Sequence, residues 1–297
     1  MGTSGLCLVW RFASELFGAP GWISEIPGLV AVVLFFGLSP LYLLKAVRYP
    51  HRVAAEFNHP VSSNFFGTVT IGTLLISNVL APISQTLAEI LWIIGALATF
   101  ALAYVIISRL LRGAIDGEHA VPAWLIPGVG TLDIAVTGDK MPMAWVPETR
   151  IFCLAVGTVV ALVFFTMIFA RLIHHAPMME GMMPSMLITV GPFGIGFMAY
   201  TDLVQRVDVF AAMLFYFGLF MFLVIAPRVF LGRIPFATSW WAVSFPLAVL
   251  TGAGIRYAAH VKAWPITAVA SFLLLFLTAI VGVLLFQTTR LALRREE

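Results

Sequence analysis

A chain of 297 residues that is 61% apolar and 10% charged departs from the about 45–50% and about 25% of ordinary soluble domains. Its mean hydropathy of +1.01 agrees, and a net charge of +3 is too slight to mark a nucleic-acid partner. This composition excludes a water-soluble enzyme, a disordered chain and a nucleic-acid-binding domain; the expected solvent is a lipid bilayer.

In chain order, the first ten residues are apolar but end at Arg11. That run is shorter than the roughly 20 residues a spanning helix needs, and it lacks a basic n-region and a cleavage site. It is expected to be the second half of a first transmembrane helix whose first half is missing. Nine further segments follow at 26–47, 61–80, 84–110, 121–138, 151–173, 183–202, 208–230, 238–257 and 265–289. With the stub this gives about ten helices in one all-α transmembrane domain, 1–297. Lys45, Arg48, Arg52, Arg109, Arg112, Arg171, Arg228, Arg233, Arg290, Arg294 and Arg295 fall on one side. Basic loops stay cytoplasmic, so a multi-pass protein of the cell (inner) membrane with a cytoplasmic C-terminus is expected.

The helices are of two kinds. The even ones, such as Ile151 to Ala170 and Ile266 to Phe286, are long and plain. The odd ones start near proline and are interrupted by small or hydroxyl residues: Pro60-Val-Ser-Ser-Asn-Phe-Phe-Gly67, Pro122-Ala-Trp-Leu-Ile-Pro-Gly-Val-Gly130, Pro184 with Gly191-Pro192-Phe193-Gly194, and Pro235 with Ser244-Phe245-Pro246. The opening prolines are 62, 62 and 51 residues apart, an internal repeat that yields five helical hairpins. A proline in a helix interior frees a carbonyl, and hydrocarbon tolerates that only inside protein or beside a water-filled cavity. The broken helices are therefore expected as an inner ring around a path across the membrane, and the plain ones as an outer wall.

Three short motifs, Ala55-Glu-Phe-Asn-His-Pro-Val61, Leu87-Ala-Glu-Ile-Leu-Trp-Ile-Ile-Gly95 and Trp241-Ala-Val-Ser-Phe-Pro246, carry a likeness. With the hairpin layout they make the chain resemble the tellurite-resistance/dicarboxylate transporter family. That family includes a bacterial tellurite-resistance membrane protein, fungal malate and sulfite transporters and the plant slow-type anion channel. The resemblance implies ten helices with their hairpins in quasi-fivefold arrangement around a central pore, and a homotrimer with one pore per subunit. It also implies a phenylalanine that blocks the pore, matching Phe245 here.

Asp133 is the anomaly, since a carboxylate within a spanning helix costs about 2.5–3.5 kcal/mol. Three accounts stand: it lies at the outer mouth, it pairs with Arg256, or it is protonated and carries a proton with substrate. Ser63, Phe66, Thr70, Thr131, Asp133, Thr189, Phe193, Ser244 and Pro246 are the candidate pore-lining residues, with Ser62, Asn64 and Thr68 as further polar groups. Arg52, Arg112, Arg233 and Arg256 are candidates for an anion-attracting mouth. Cys7 and Cys153, both in apolar stretches, suggest no disulfide framework or metal site. No metal or other cofactor is expected. No Walker loop points to ATP-driven transport, and no convergent acid–base cluster points to an enzyme. The sequence thus predicts a passive, channel-like pathway for small inorganic or organic anions, occluded by Phe245. The alternative is a proton-coupled secondary transporter of a C4-dicarboxylate, sulfite or a related oxyanion.

Overall fold

The computed structural model describes residues 1–113 and 120–293. All regular structure among them is helical. The α-helices are α1 (Gly2–Phe17), α2 (Trp22–Arg48), α3 (Pro50–Asn58), α4 (Phe66–Leu80), α5 (Gln85–Leu111), α6 (Leu125–Thr137), α7 (Val146–His174), α8 (Gly191–Val204), α9 (Val209–Phe230), α10 (Ser244–Val261) and α11 (Trp264–Leu293). Among the described residues, eight helical stretches are long and apolar enough to cross a bilayer. The chain is a multi-pass membrane protein. α1, with 16 residues, and the run 122–137 are shorter than those eight, so the expectation of ten crossings is not reached by length alone.

Two expectations about local structure are corrected. Arg11 does not end the first helix, which continues to Phe17. Its guanidinium donates to the carbonyls of Asn78 and Val79, each at 2.9 Å, and a cation at those last carbonyls of α4 is favoured by the helix dipole. Residues 50–58, expected as loop, form the short helix α3. There Glu56 accepts from Lys45 at 2.6 Å, and Arg109 donates to the Phe57 carbonyl at 2.6 Å.

The breaks have a common form. Short 3-10 segments, Ser62–Phe65, Pro122–Trp124, Glu180–Val190 and Thr238–Val243, run directly into α4, α6, α8 and α10. Pro127, Pro192 and Pro246 occupy the first three positions of their α-helices. The N–H groups there have no partner within the α-helix, so these prolines cost little at the places they hold. They fix where the tighter helix ends rather than kinking a helix interior.

Burial separates two sets of helices. In the spans Ser62–Leu80, Glu180–Val204 and Thr238–Val261 the share of buried residues is 61–78%, against 11–33% in the other five. α6 is buried at every residue except Val136. Consecutive helices pair as hairpins: α1 with α2, α4 with α5, α6 with α7, α8 with α9 and α10 with α11. The buried partners also touch one another in turn, α1 on α4, α4 on α6, α6 on α8, α8 on α10 and α10 on α1. Glycine permits close approach between the backbones of α8 and α10. A Cβ on Gly194 of α8 would lie 2.8 Å from the Leu250 nitrogen and the Val249 carbonyl carbon of α10.

Candidate functional site

Two cavities lie between the five buried helices. The first, of about 380 Å3, opens beside the 3-10 segments and the helix starts; Thr68, Ile71, Ile126, Val129, Ile188, Gly191 and Ser244 line it. The second, of about 360 Å3, lies further along the same helices. Leu75, Asn78, Asp133, Ile195, Met198 and Ala248 line it, with Arg11, Glu15, Asp139, Lys140, Asp202 and Arg256 contributing charge. One residue lines both: Phe245.

The lining follows helical periodicity. Thr68, Ile71, Leu75 and Asn78 form one stripe of α4. Ile126, Val129, Asp133 and Val136 form another on α6, and Gly191, Ile195, Met198 and Asp202 a third on α8. Steps of three and four residues keep each stripe on one helix face. Each passes from first to second cavity at one level, between Ile71 and Leu75, Val129 and Asp133, and Gly191 and Ile195. Phe245 stands at that level, 7% exposed, packed in one cluster with Ile71, Ile126, Val129, Ile188, Ile195 and Val249.

A match to the family described as "Voltage-dependent anion channel", SLAC1, covers residues 1–289. The chain belongs to the SLAC1 family. An uncharacterized transporter of Methanocaldococcus jannaschii, MJ0762, is 30% identical over 272 residues, covering 84% of this chain and 80% of that one. The S-type anion channel SLAH3 of Arabidopsis thaliana is 26% identical over 88% of this chain, which spans only 42% of SLAH3. The sulfite efflux pump SSU1 of Trichophyton rubrum is 25% identical, over 85% of this chain and 78% of that protein. The resemblance drawn from the three motifs therefore holds, and SLAC1-family relatives are anion channels or anion and sulfite transporters.

In this SLAC1-family chain only some of the residues expected to line a path come together. Ser244, Phe245 and Pro246 border the first cavity, and Asp133, Arg256 and again Phe245 the second. The others lie elsewhere. Ser63 lines a small hollow with Asn58, Arg109 and Trp124. Phe66 and Thr70 face a groove with Tyr42 and Phe57. Thr131 lies where a Cβ on Gly157 of α7 would meet its hydroxyl. Thr189 lines a methionine-rich hollow between α7 and α9. Phe193 packs edge-on against Phe165 and Phe217. Arg52, Arg112 and Arg233 are exposed and line neither cavity, with Arg52 stacked over Tyr49.

The proposed pairing of Asp133 with Arg256 is overturned. Arg256 pairs with Asp202, donates to the Thr201 hydroxyl at 3.3 Å and lies over the Phe12 ring. Asp133 is not at a mouth either: its exposure is 0%, and neither carboxyl oxygen has a hydrogen-bond partner. The sequence reading passed over most of the apolar lining, above all Ile71, Ile126, Val129, Ile188 and Ile195. The three-and-four spacing through Thr68 and Asp133 was the available signal.

Proposed function

We propose that the chain forms a passive pathway for small anions, with Phe245 as its gate. The observation that carries this is the position of Phe245 between two cavities that share no other lining residue. A ring held there separates two spaces that already reach most of the way along the buried helices. Rotating one side chain is a small, fast motion compared with displacing packed helices. The start of α4, α6, α8 and α10 beside the first cavity supports anions as the permeant species. Each helix directs the positive end of its dipole toward that space, which favours negative charge without a fixed cation in an otherwise apolar lining.

The similarity to SLAH3, an S-type anion channel, and to SSU1, a sulfite efflux pump, supports the same substrate class, and the positive-inside bias supports a cytoplasmic C-terminus. We further propose a homotrimer with one path per subunit. The outer face of α2, of which only Ser24, Gly28 and Ala31 are buried, is compatible with lipid or a neighbouring copy. A second reading, a proton-coupled carrier of sulfite, a dicarboxylate or a related oxyanion, is favoured by the buried carboxyl of Asp133.

The test is current across a planar bilayer or oocyte membrane, wild type against Phe245→Ala, with chloride exchanged for nitrate, sulfite and malate. An anion current that appears with the substitution supports the gated path. Silence in both, with correctly inserted protein, refutes it.

A further inference from the structure

Asp133 is a buried ionisable residue whose chemistry the gated path does not use. It is fully buried, it belongs to the wall of the second cavity without being open to it, and it sits one turn beyond Val129, on the far side of the level held by Phe245. Both carboxyl oxygens lack a hydrogen-bond partner. An ionised carboxylate buried without donors or a paired cation is strongly disfavoured.

The surrounding charges do not supply such a cation. On α1, Arg11 is committed to the carbonyls of Asn78 and Val79, and Glu15 is exposed. In the segment after α6, Lys140 is exposed and Asp139 pairs with Arg150 of α7 at 2.9 Å. Arg150 also donates to the Ala135 carbonyl at 2.8 Å. Asp202 of α8 pairs with Arg256 of α10. α4 brings no ionisable group to this cavity, only Asn78, whose side-chain oxygen is also without a partner.

We propose that Asp133 is a proton-binding site within the anion path. As the neutral acid it donates a hydrogen bond to an anion that has passed Phe245. As the carboxylate it repels that anion and closes the second cavity to it. The proton comes from the adjoining solution and returns to it, so no covalent step is involved. This inference rests on the proposed path and adds to it a residue that makes anion passage depend on a proton.

The experiment is nitrate flux into proteoliposomes of the full chain, from about pH 5 to about pH 8. Nitrate stays ionised throughout, so its own titration cannot mimic the effect. Wild type, Asp133→Asn, Phe245→Ala and the double variant are compared. Phe245→Ala flux is expected to fall as pH rises, by about tenfold per pH unit once most of Asp133 is ionised, the slope of one titrating group. Asp133→Asn keeps the size and a donor but cannot ionise; the flux of the double variant is expected to vary less than about twofold over the range. Asp133→Leu, which removes the donor, should give low flux that is likewise independent of pH.

If Phe245→Ala conducts and the double variant retains its pH profile, the proton site is overturned and the path survives. If Phe245→Ala conducts at no pH, the path is overturned and the proton site with it.

Discussion

Replacing Phe245 by alanine removes the sole side chain common to the two cavities and should join spaces of about 380 and 360 Å3. The barrier it removes can be sized from the cost of placing charge in an apolar helical environment, about 2.5–3.5 kcal/mol. At about 1.4 kcal/mol per decade this corresponds to roughly 100-fold in anion current. The substitution also has a stability cost. Phenylalanine-to-alanine changes in cores cost about 3–5 kcal/mol. The lower end is expected here, because the ring borders open space on two sides and has apolar neighbours only around its rim, among them Ile71, Val129 and Ile195. Current would be recorded beside thermal unfolding in detergent, with Phe245→Leu as the intermediate, keeping more bulk and giving less current. A Phe245→Ala protein that is folded, inserted and as silent as wild type would show that the resistance lies elsewhere.

Three further predictions concern what holds the path in shape. Gly194→Ala should cost about 1–3 kcal/mol of stability, as overpacking does, because its Cβ would press on the backbone at Val249 and Leu250. Gly196→Ala on the same helix, where the nearest atom is 3.9 Å away, should show no such loss; equal loss of thermal stability in both would refute the close-approach argument. Arg256→Gln or Asp202→Asn should each cost about 1–3 kcal/mol, below the cost of breaking a fully buried pair, since the Arg256 side chain is 27% exposed. The double variant should recover part of that loss, and strictly additive losses in a double-mutant cycle would count against the pair. Glu56 is held below its ordinary value of 4.5 chiefly by the hydrogen bond from Lys45. A depressed carboxyl stabilises the fold above its unfolded value and loses that contribution as pH falls through the lower folded one. Protection of the α3 amides, measured against their intrinsic exchange rate at each pH, should therefore fall below about pH 4.5, and Glu56→Gln should lack that step.

The division into buried and lipid-facing helices was legible because its cause is local. Prolines and glycines at near-equal spacing mark segments whose backbone needs protein around it, and burial follows them at Ser62–Leu80, Glu180–Val204 and Thr238–Val261. Which face of each helix meets the cavities was not legible from residue type. Hydroxyl residues were chosen as lining because an anion needs donors, yet Thr131 and Thr189 each donate at 2.7 Å to the carbonyl three residues back. A hydroxyl satisfied by its own helix needs no aqueous space. The 3-10 lead-ins add to the difficulty, since three residues per turn before the α-helix shifts the angular position of everything that precedes it. Ser63 lies in such a lead-in and faces α5, whereas Ile71 and Leu75 in regular α-helix face the cavities. Charge misled in the opposite sense. Arg11 looked like a helix end and is a helix interior, because the last carbonyls of α4 receive it.

The proposed path, bordered at the level of Phe245 by isoleucine, valine, glycine and one phenyl ring, would discriminate among anions mainly through the cost of leaving water. Such a lining offers little to distinguish one small anion from another, and the helix dipoles that favour negative charge act on all of them alike. Chemical discrimination must then come from the few polar groups beyond the ring. In the second cavity most of these are already bonded to one another or to backbone, as with Arg256 and Asp202 or Arg11 and α4. Asp133 and Asn78 border that space, and their side-chain oxygens have no hydrogen-bond partner among the described residues. A carboxyl can accept or donate according to its proton, so the residue able to tell substrates apart is also the one able to link their passage to pH. On that reading channel and proton-linked carrier are two settings of one architecture, separated by how long Phe245 stays aside and whether Asp133 holds its proton while it does.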